Sequence, residues 1–250
     1  LHYPLRRQRQ MCIRDSASVL RGDGAWDEAL PQIKSLCSRP LVLGRSASTT
    51  DQRQRLVSDL LAHGLQPLQA QLQFDCCEQD LQRVAAEAQG CDAVLAAGGG
   101  KVLDAGKLLA HRLSLPCITV PLSASTCAGW TALSNIYSPQ GAFEGDVALD
   151  RCPDLLVFDH SLVRQAPSRT LASGVADALA KWYEASVSSG DSSDGLVQQA
   201  VQMARVLRDQ LLIDSLTALK DPDSEAWVRT AEASALTAGV MGGPVSYTHL

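Results

Sequence analysis

The stretch DAVLAAGGGKVLDAGKLLAHRLSLPCITV, Asp92 to Val120, decides the fold. Asp92 to Ala97 is a short apolar run that reads as a buried strand, and Gly98-Gly99-Gly100 breaks it with a tight turn. From Lys101 to about Arg112 the spacing is helical, and Cys117 to Val120 is a second strand. A strand, a helix and a strand in succession imply parallel pairing and therefore an α/β sheet. Upstream the same alternation holds. Trp26, Leu30, Ile33 and Leu36 mark a helix face, PLVL (Pro40 to Leu43) a buried strand, and Asp51 to His63 a helix that Gly64 caps. A weaker strand is expected near Leu68 to Phe74, then a helix from Asp80 to Gln89. Beyond Asp159 the pattern is helical throughout, at about 161–164, 167–188, 195–215 and 224–241, which predicts a boundary near residue 160.

The chain has 250 residues, 46% hydrophobic, with a net charge of −5, enough apolar material for one large domain or two smaller ones. An acidic balance without a basic stripe argues against nucleic acid as the main partner, and the lack of a long uncharged apolar run argues against a membrane span. Eight cysteines with no CxxC spacing read as reduced thiols, which places the protein in the cytoplasm. The termini read differently. Residues 11–16, MCIRDS, and 245–250, VSYTHL, are encodable by one short DNA element in opposite orientations, the pattern of a translated library adapter. On that reading 1–16 and 245–250 are artefact and 17–244 is a segment cut at both ends. Met11 is then no natural start, and His249 is no ligand. Removing Arg6, Arg7, Arg9 and Arg14 against Asp15 leaves the rest more acidic.

Three places could carry chemistry. The glycine triplet between strand and helix lets backbone N–H groups approach an anion, and Lys101 would add charge. It matches neither a Walker A loop, since Val102 follows the lysine, nor a strict GxGxxG, so a plain tight turn is an equally open reading. Pro121 to Tyr137 follows a strand end and clusters Ser123, Ser125, Thr126 and Thr131, as ligand contacts or as hydroxyls serving their own loop. Cys127 there suits a small buried thiol better than a nucleophile. In GVADALAKWYEA, Asp177, Lys181 and Glu184 share a helix face, most simply a solvated face with an ion pair. His63, His111 and His160 stand singly.

Four motifs in register extend this reading: GGGKVLDAGK (98–107), STCAGWTALSNIY (125–137), PDLLVFD (153–159) and APSRTLASGVADALAKWYEA (166–185). Together they resemble the iron-containing alcohol dehydrogenase superfamily, its glycerol dehydrogenase-like and hydroxycarboxylate dehydrogenase-like branch. The resemblance implies a Rossmann-like parallel-sheet domain over 17–160 and a partial, metal-binding all-α domain over 161–244, in a dehydroquinate synthase-like fold. It implies NAD or NADP and a divalent metal, zinc or iron, with hydride transfer to or from a small alcohol, polyol or 2-hydroxy acid, and a possible homo-oligomer. Gly99, Gly100, Lys101 and Asp104 look like the pyrophosphate turn and its helix. Ser125, Thr131, Leu133 and Tyr137 fall on the nicotinamide side of the cleft. Asp177 resembles a metal-holding carboxylate, against the ion-pair reading, with histidine partners expected after Gly242-Gly243.

Two departures stand out. Cys127 occupies the position of a polyol-contacting Asp in glycerol dehydrogenases, which speaks against glycerol, and the Thr-Cys-Ala-x-Trp-Thr pattern with LAKWYEA is more similar to the hydroxycarboxylate dehydrogenases, which act on 2-oxo acids. Arg45, after the PLVL strand, replaces an acid that reads the ribose and could accommodate a 2′-phosphate. Rival readings are a dehydroquinate synthase-like or glycerol phosphate dehydrogenase-like enzyme on the same scaffold, or a nucleotide-binding module without catalysis.

Overall fold

The computed structural model describes residues 18–189 and 191–239. Eight strands and eight α-helices occur among them. In chain order they are β1 (Ser18–Gly22), α1 (Ala25–Leu36), β2 (Pro40–Gly44), α2 (Thr50–Ala62), β3 (Leu68–Gln71), α3 (Glu78–Glu87), β4 (Ala93–Gly98), α4 (Gly100–Leu113), β5 (Cys117–Pro121), the pair β6 (Leu133–Tyr137) and β7 (Phe143–Ala148), β8 (Leu155–Asp159), α5 (His160–Val163), α6 (Ser168–Ser189), α7 (Gly195–Lys220) and α8 (Glu225–Glu232), with a π-turn over Ala233–Thr237.

Six strands form one sheet in the order β1-β8-β5-β4-β2-β3, every neighbour parallel. Alternation along the strands sorts the core into two faces. Ala93, Leu95 and Ala97 of β4 point into a cluster with Trp26, Leu30 and Ile33 of α1 and Leu56 and Leu60 of α2. Val94 and Ala96 point the other way, onto Leu81 and Val84 of α3 and Leu103 and Leu108 of α4. Because helices cover both faces, the strands are continuously apolar: β2, β4, β5 and β8 are buried along their whole length.

Beyond Asp159 the described residues are helical. Val163, Leu171, Ala218, Trp227 and Ala231 pack on Leu156 and Phe158 of β8, which joins the helical layer to the sheet. Asp159, 2% exposed, makes the turn between the two layers. Its Oδ1 accepts from the N–H groups of Ser161 and Leu162, and its Oδ2 from Trp26 N at 2.9 Å, so one carboxylate serves the starts of both α5 and α1. His160 is buried and reaches Glu232 of α8 at 3.0 Å.

The expected elements of the central unit form within two residues of their sequence limits. Three strands escaped the reading: β1, the hairpin partner β7, and β8, whose PDLLVFD had been noted only as a motif. The Pro121–Tyr137 segment is corrected as well, because its last five residues are β6 rather than loop. The last expected helix becomes α8 and a π-turn, and its end at 240–241 lies outside the described residues, as do the segments read as adapter, 1–16 and 245–250.

The topology places the crevice. After β2 the chain adds β3 at the sheet edge, then returns across β2 to lay down β4 on its other side. Order reverses between β2 and β4, and ligands of open α/β sheets bind at the strand carboxyl ends at such a point.

Helix α4 lies so close to β4 that a Cβ at Gly106 would stand 2.3 Å from Ala96 Cβ, with backbone directly behind. Gly106→Ala should therefore destabilise the fold by about 1–3 kcal/mol in urea denaturation, although alanine favours helices elsewhere.

Candidate active site at the switch point

The glycine turn closes the crevice floor. Gly99 precedes α4 in extended conformation and gives that helix no side-chain cap. Its carbonyl accepts from Val102 N at 3.0 Å and Leu103 N at 3.1 Å. A Cβ at Gly100 would meet Thr126 Cγ2 at 2.7 Å, and one at Gly99 would lie 3.7 Å from Ser123 Oγ. The loop after β5 thus approaches the helix start closely enough that a side chain at Gly100 would press on Thr126, while Gly99 leaves ordinary contact distance to Ser123. Ser125 sits in that loop, its hydroxyl 3.1 Å from Ser123 Oγ.

Lys101 does not stand free. Its ammonium pairs with Asp75 Oδ2 and lies 4.7 Å over the Tyr137 ring. Asp75 also meets Arg45 at 2.6 Å through Oδ1. The carboxylate is 8% exposed, whereas Arg45 and Lys101 are 41% and 44% exposed, so the acid lies beneath and the two cations face outward. Asp80 holds this loop in place, accepting from Gln73 N and Phe74 N at 2.7 Å each and pairing with Arg83. Tyr137 N donates to Cys76 O at 2.8 Å, which ties the hairpin to the same loop.

Asp104, Thr131 and Leu133 come together through a residue the sequence reading had not singled out. Lys107, 2% exposed, reaches Asp104 Oδ1 at 3.0 Å, Thr131 O at 3.0 Å, Thr131 Oγ1 at 3.1 Å and the carbonyl of Leu133. Burial pushes the Asp104 carboxyl above its ordinary value, and the Lys107 ammonium pulls it back. Asp104 is 6% exposed, so it supports the cofactor-side segment from below instead of reaching into the crevice.

Cys127 and Asp177 meet in the helical layer. Gly174 permits it, since a Cβ there would fall 1.9 Å from Ala124 O and α6 could not lie against the loop. Cys127 packs with Val175 and Ala178 at 4% exposure, and burial pushes its thiol up, with Lys181 opposing the rise and Asp177 adding to it. A thiol held protonated in an apolar cluster is a wall, not a nucleophile. Asp177 makes the i,i+4 ion pair with Lys181 at 3.0 Å that spacing alone had indicated. Burial works against the Lys181 ammonium, and the Asp177 carboxylate favours it. Among the described residues no three of His, Cys, Asp and Glu come together as metal donors. With one carboxylate already on a lysine, the described residues do not fit a divalent ion by themselves. The histidines expected after Gly242-Gly243 lie outside them.

Residues 16–160, more than half of the chain, match the family described as iron-containing alcohol dehydrogenase. The chain belongs to the iron-containing alcohol dehydrogenase family. A Synechocystis protein described as an uncharacterized oxidoreductase is 50% identical over 221 residues, which are 88% of this chain and 57% of the relative. Hydroxycarboxylate dehydrogenase A of Escherichia coli K12 is 35% identical over 67% of this chain and 48% of its own length. The crystal structure of a probable glycerol dehydrogenase from Sinorhizobium meliloti 1021 superimposes with a TM-score of 0.79 at 27% identity, covering 91% of this chain and 65% of that one. The chain thus spans less than two thirds of each. Within the family it is glycerol dehydrogenase-like, and the parallel sheet followed by helices is the family's fold.

Lys107→Met would strand the Asp104 carboxylate in the interior, with an expected loss of about 3–5 kcal/mol. Pairing it with Asp104→Asn should recover part of that loss, as read from urea unfolding of the single and double variants.

Proposed function

We propose that the protein is an NAD(P)-linked oxidoreductase acting on the CH–OH group of a small alcohol, polyol or 2-hydroxy acid, and that it runs the reverse reduction of a 2-oxo acid. The observation that carries the reading is the uncapped start of α4 behind Gly99 and Gly100, at the sheet's switch point, in a chain of this family. Backbone N–H groups and the helix field there suit a pyrophosphate. When bound, the nicotinamide cofactor supplies or accepts the hydride at its C4 carbon.

The chain's own residues then have distinct tasks. The amides of Gly100 and Lys101 hold the diphosphate, Lys107 stiffens the Thr131–Leu133 segment, and Ser125, Thr131, Leu133 and Tyr137 border the nicotinamide side. Positioning of this kind converts a bimolecular encounter into an oriented one. Cys127 forms an uncharged wall beside the reacting centre, which lacks an acid for a polyol's hydroxyls and favours an oxo acid over glycerol. Metal dependence belongs to the same reading: Asp177 would be one ligand of zinc or iron, released from Lys181, with the other ligands outside the described residues. The domain division proposed from the sequence, 17–160 for the nucleotide and 161–244 for the metal side, accords with these tasks.

Gly100→Val should lower NAD(P)H affinity by about tenfold or more, measured by nicotinamide fluorescence, while circular dichroism stays unchanged. An unaltered affinity would remove the turn from the site. For the substrate, turnover of 2-oxo acids should exceed that of glycerol in the whole protein, and preference for glycerol would show that Cys127 does not decide the matter.

A further inference from the structure

The STCAGWT segment holds one large side chain that the reading so far leaves unused, Trp130. Its backbone N–H donates to Cys127 O at 3.0 Å, so Cys127 and Trp130 stand at the two corners of one turn. Two contacts pin that turn to the sheet: Thr119 Oγ1 donates to Gly129 O at 2.7 Å, and a Cβ at Gly129 would stand 2.9 Å from Pro121 Cγ. The Trp130 side chain packs against the cluster of Leu156 and Phe158. The end of the helical layer meets the same ring. A Cβ at Gly239 would lie 2.9 Å from Trp130 Cδ1, 3.1 Å from its Cβ and 3.3 Å from Cys127 Cβ. Cδ1 is bonded to Nε1, so the edge of the indole that carries the N–H lies on the side of Gly239 and Cys127. The residue is partly exposed, and its N–H meets no acceptor among the described residues. An indole N–H can only donate, and in so sheltered a place it calls for an acceptor.

The charges around Cys127 favour an anion as that acceptor. Lys181 is less exposed than its partner Asp177, so the ammonium lies deeper than the carboxylate it pairs with. Of the charged groups that act on the Cys127 thiol, Lys181 acts most strongly, ahead of Asp177, and Lys107 adds to it. Two cations against one acid make the field at Cys127 positive, while Glu184, further along α6, is exposed to solvent. The protonated thiol brings no charge of its own. One ammonium and one neutral N–H suit a singly charged carboxylate, whose two oxygens accept one bond each, whereas a phosphate dianion would call for more cations.

We propose that Trp130 and Lys181 select the substrate by its carboxylate: the indole N–H and the ammonium each hold one carboxylate oxygen against Cys127, and the adjoining oxo carbon is left on the nicotinamide side, where Thr131 and Leu133 follow Trp130 in the chain. The inference rests on the oxo-acid reading above and adds the residues that choose the class. Trp130 and Lys181 are binding residues here. Gly239 is a positioning residue, because any side chain at that point would displace both the indole and the thiol.

The test compares a 2-oxo acid with its methyl ester, which keeps the reacting carbonyl and loses the charge, in the whole protein. By kcat/KM the acid should be preferred about tenfold or more. Trp130→Phe keeps a ring and removes the N–H, and Lys181→Gln removes the charge. Either should cut the acid-to-ester ratio about tenfold, through the KM of the acid and with little change in kcat. Oxamate, an unreactive mimic of a 2-oxo acid, should bind each variant about tenfold more weakly in isothermal titration with NAD(P)H present, a readout that needs no turnover. NAD(P)H binding by nicotinamide fluorescence checks that the variants are folded. An acid-to-ester ratio and an oxamate affinity that survive in either variant, or a loss of kcat equal for acid and ester, would overturn the inference and leave the oxo-acid reading in place. Equal use of acid and ester by the unaltered protein would do the same, and a preference for glycerol over both would overturn that reading as well.

Discussion

Helix α4 can lie on β4 only because Gly106 offers no side chain to Ala96, and much of the site hangs from that contact. Close approach brings the helix start directly behind the strand end, so the glycine turn is short and the first amides of α4 open onto the crevice. It also buries the next turn of the helix, where Asp104 and Lys107 lie. A lysine in that position has no water to solvate it and must find acceptors within the protein. It finds them in the Asp104 carboxylate and in the carbonyls of Thr131 and Leu133. The segment leading into the β6–β7 hairpin is thereby fixed to the helix whose start forms the phosphate turn.

A second set of contacts ties the other side of the crevice together. Asp75 is placed by a loop that Asp80 pins through two backbone N–H groups, and it gathers Arg45 from the end of β2 and Lys101 from the start of α4. Like charges brought so close would repel, and the buried carboxylate offsets that repulsion while leaving both cations facing outward. On the helical side, Gly174 lets α6 lie against the loop at Ala124, which brings Cys127, Asp177 and Lys181 to the same border. Glycine is used twice for one purpose, to let a helix reach a backbone that a Cβ would hold away.

Much of this was legible in the sequence. The strand, glycine turn and helix over 92–112 carry their own punctuation, and apolar runs covered on both faces read plainly as parallel strands. The i,i+4 pair of Asp177 and Lys181 is a matter of spacing and forms as such. What escaped the reading shares one property: its meaning depends on a distant partner. β1 shows no alternation of its own because it is an edge strand set by pairing with β8. β6 and β7 are short, partly exposed, and held by each other. Asp75 and Lys107 look like ordinary surface charges until the loop and the hairpin close over them.

The sequence by itself determined the α/β class, the order of elements from α1 to β5, the family, and the glycine turn at Gly98-Gly99-Gly100. These are local facts, because period, turn chemistry and motif spacing need no knowledge of what lies across the molecule. The tertiary structure alone decided which charges are paired and which remain available: Lys101 shares Asp75 with Arg45, Asp104 turns inward to Lys107, and Arg53 is buried among neutral partners. The reason is electrostatic. A side chain's effective charge is set by its burial and by neighbours from other elements, and those neighbours are brought within a few ångströms only when the chain has folded.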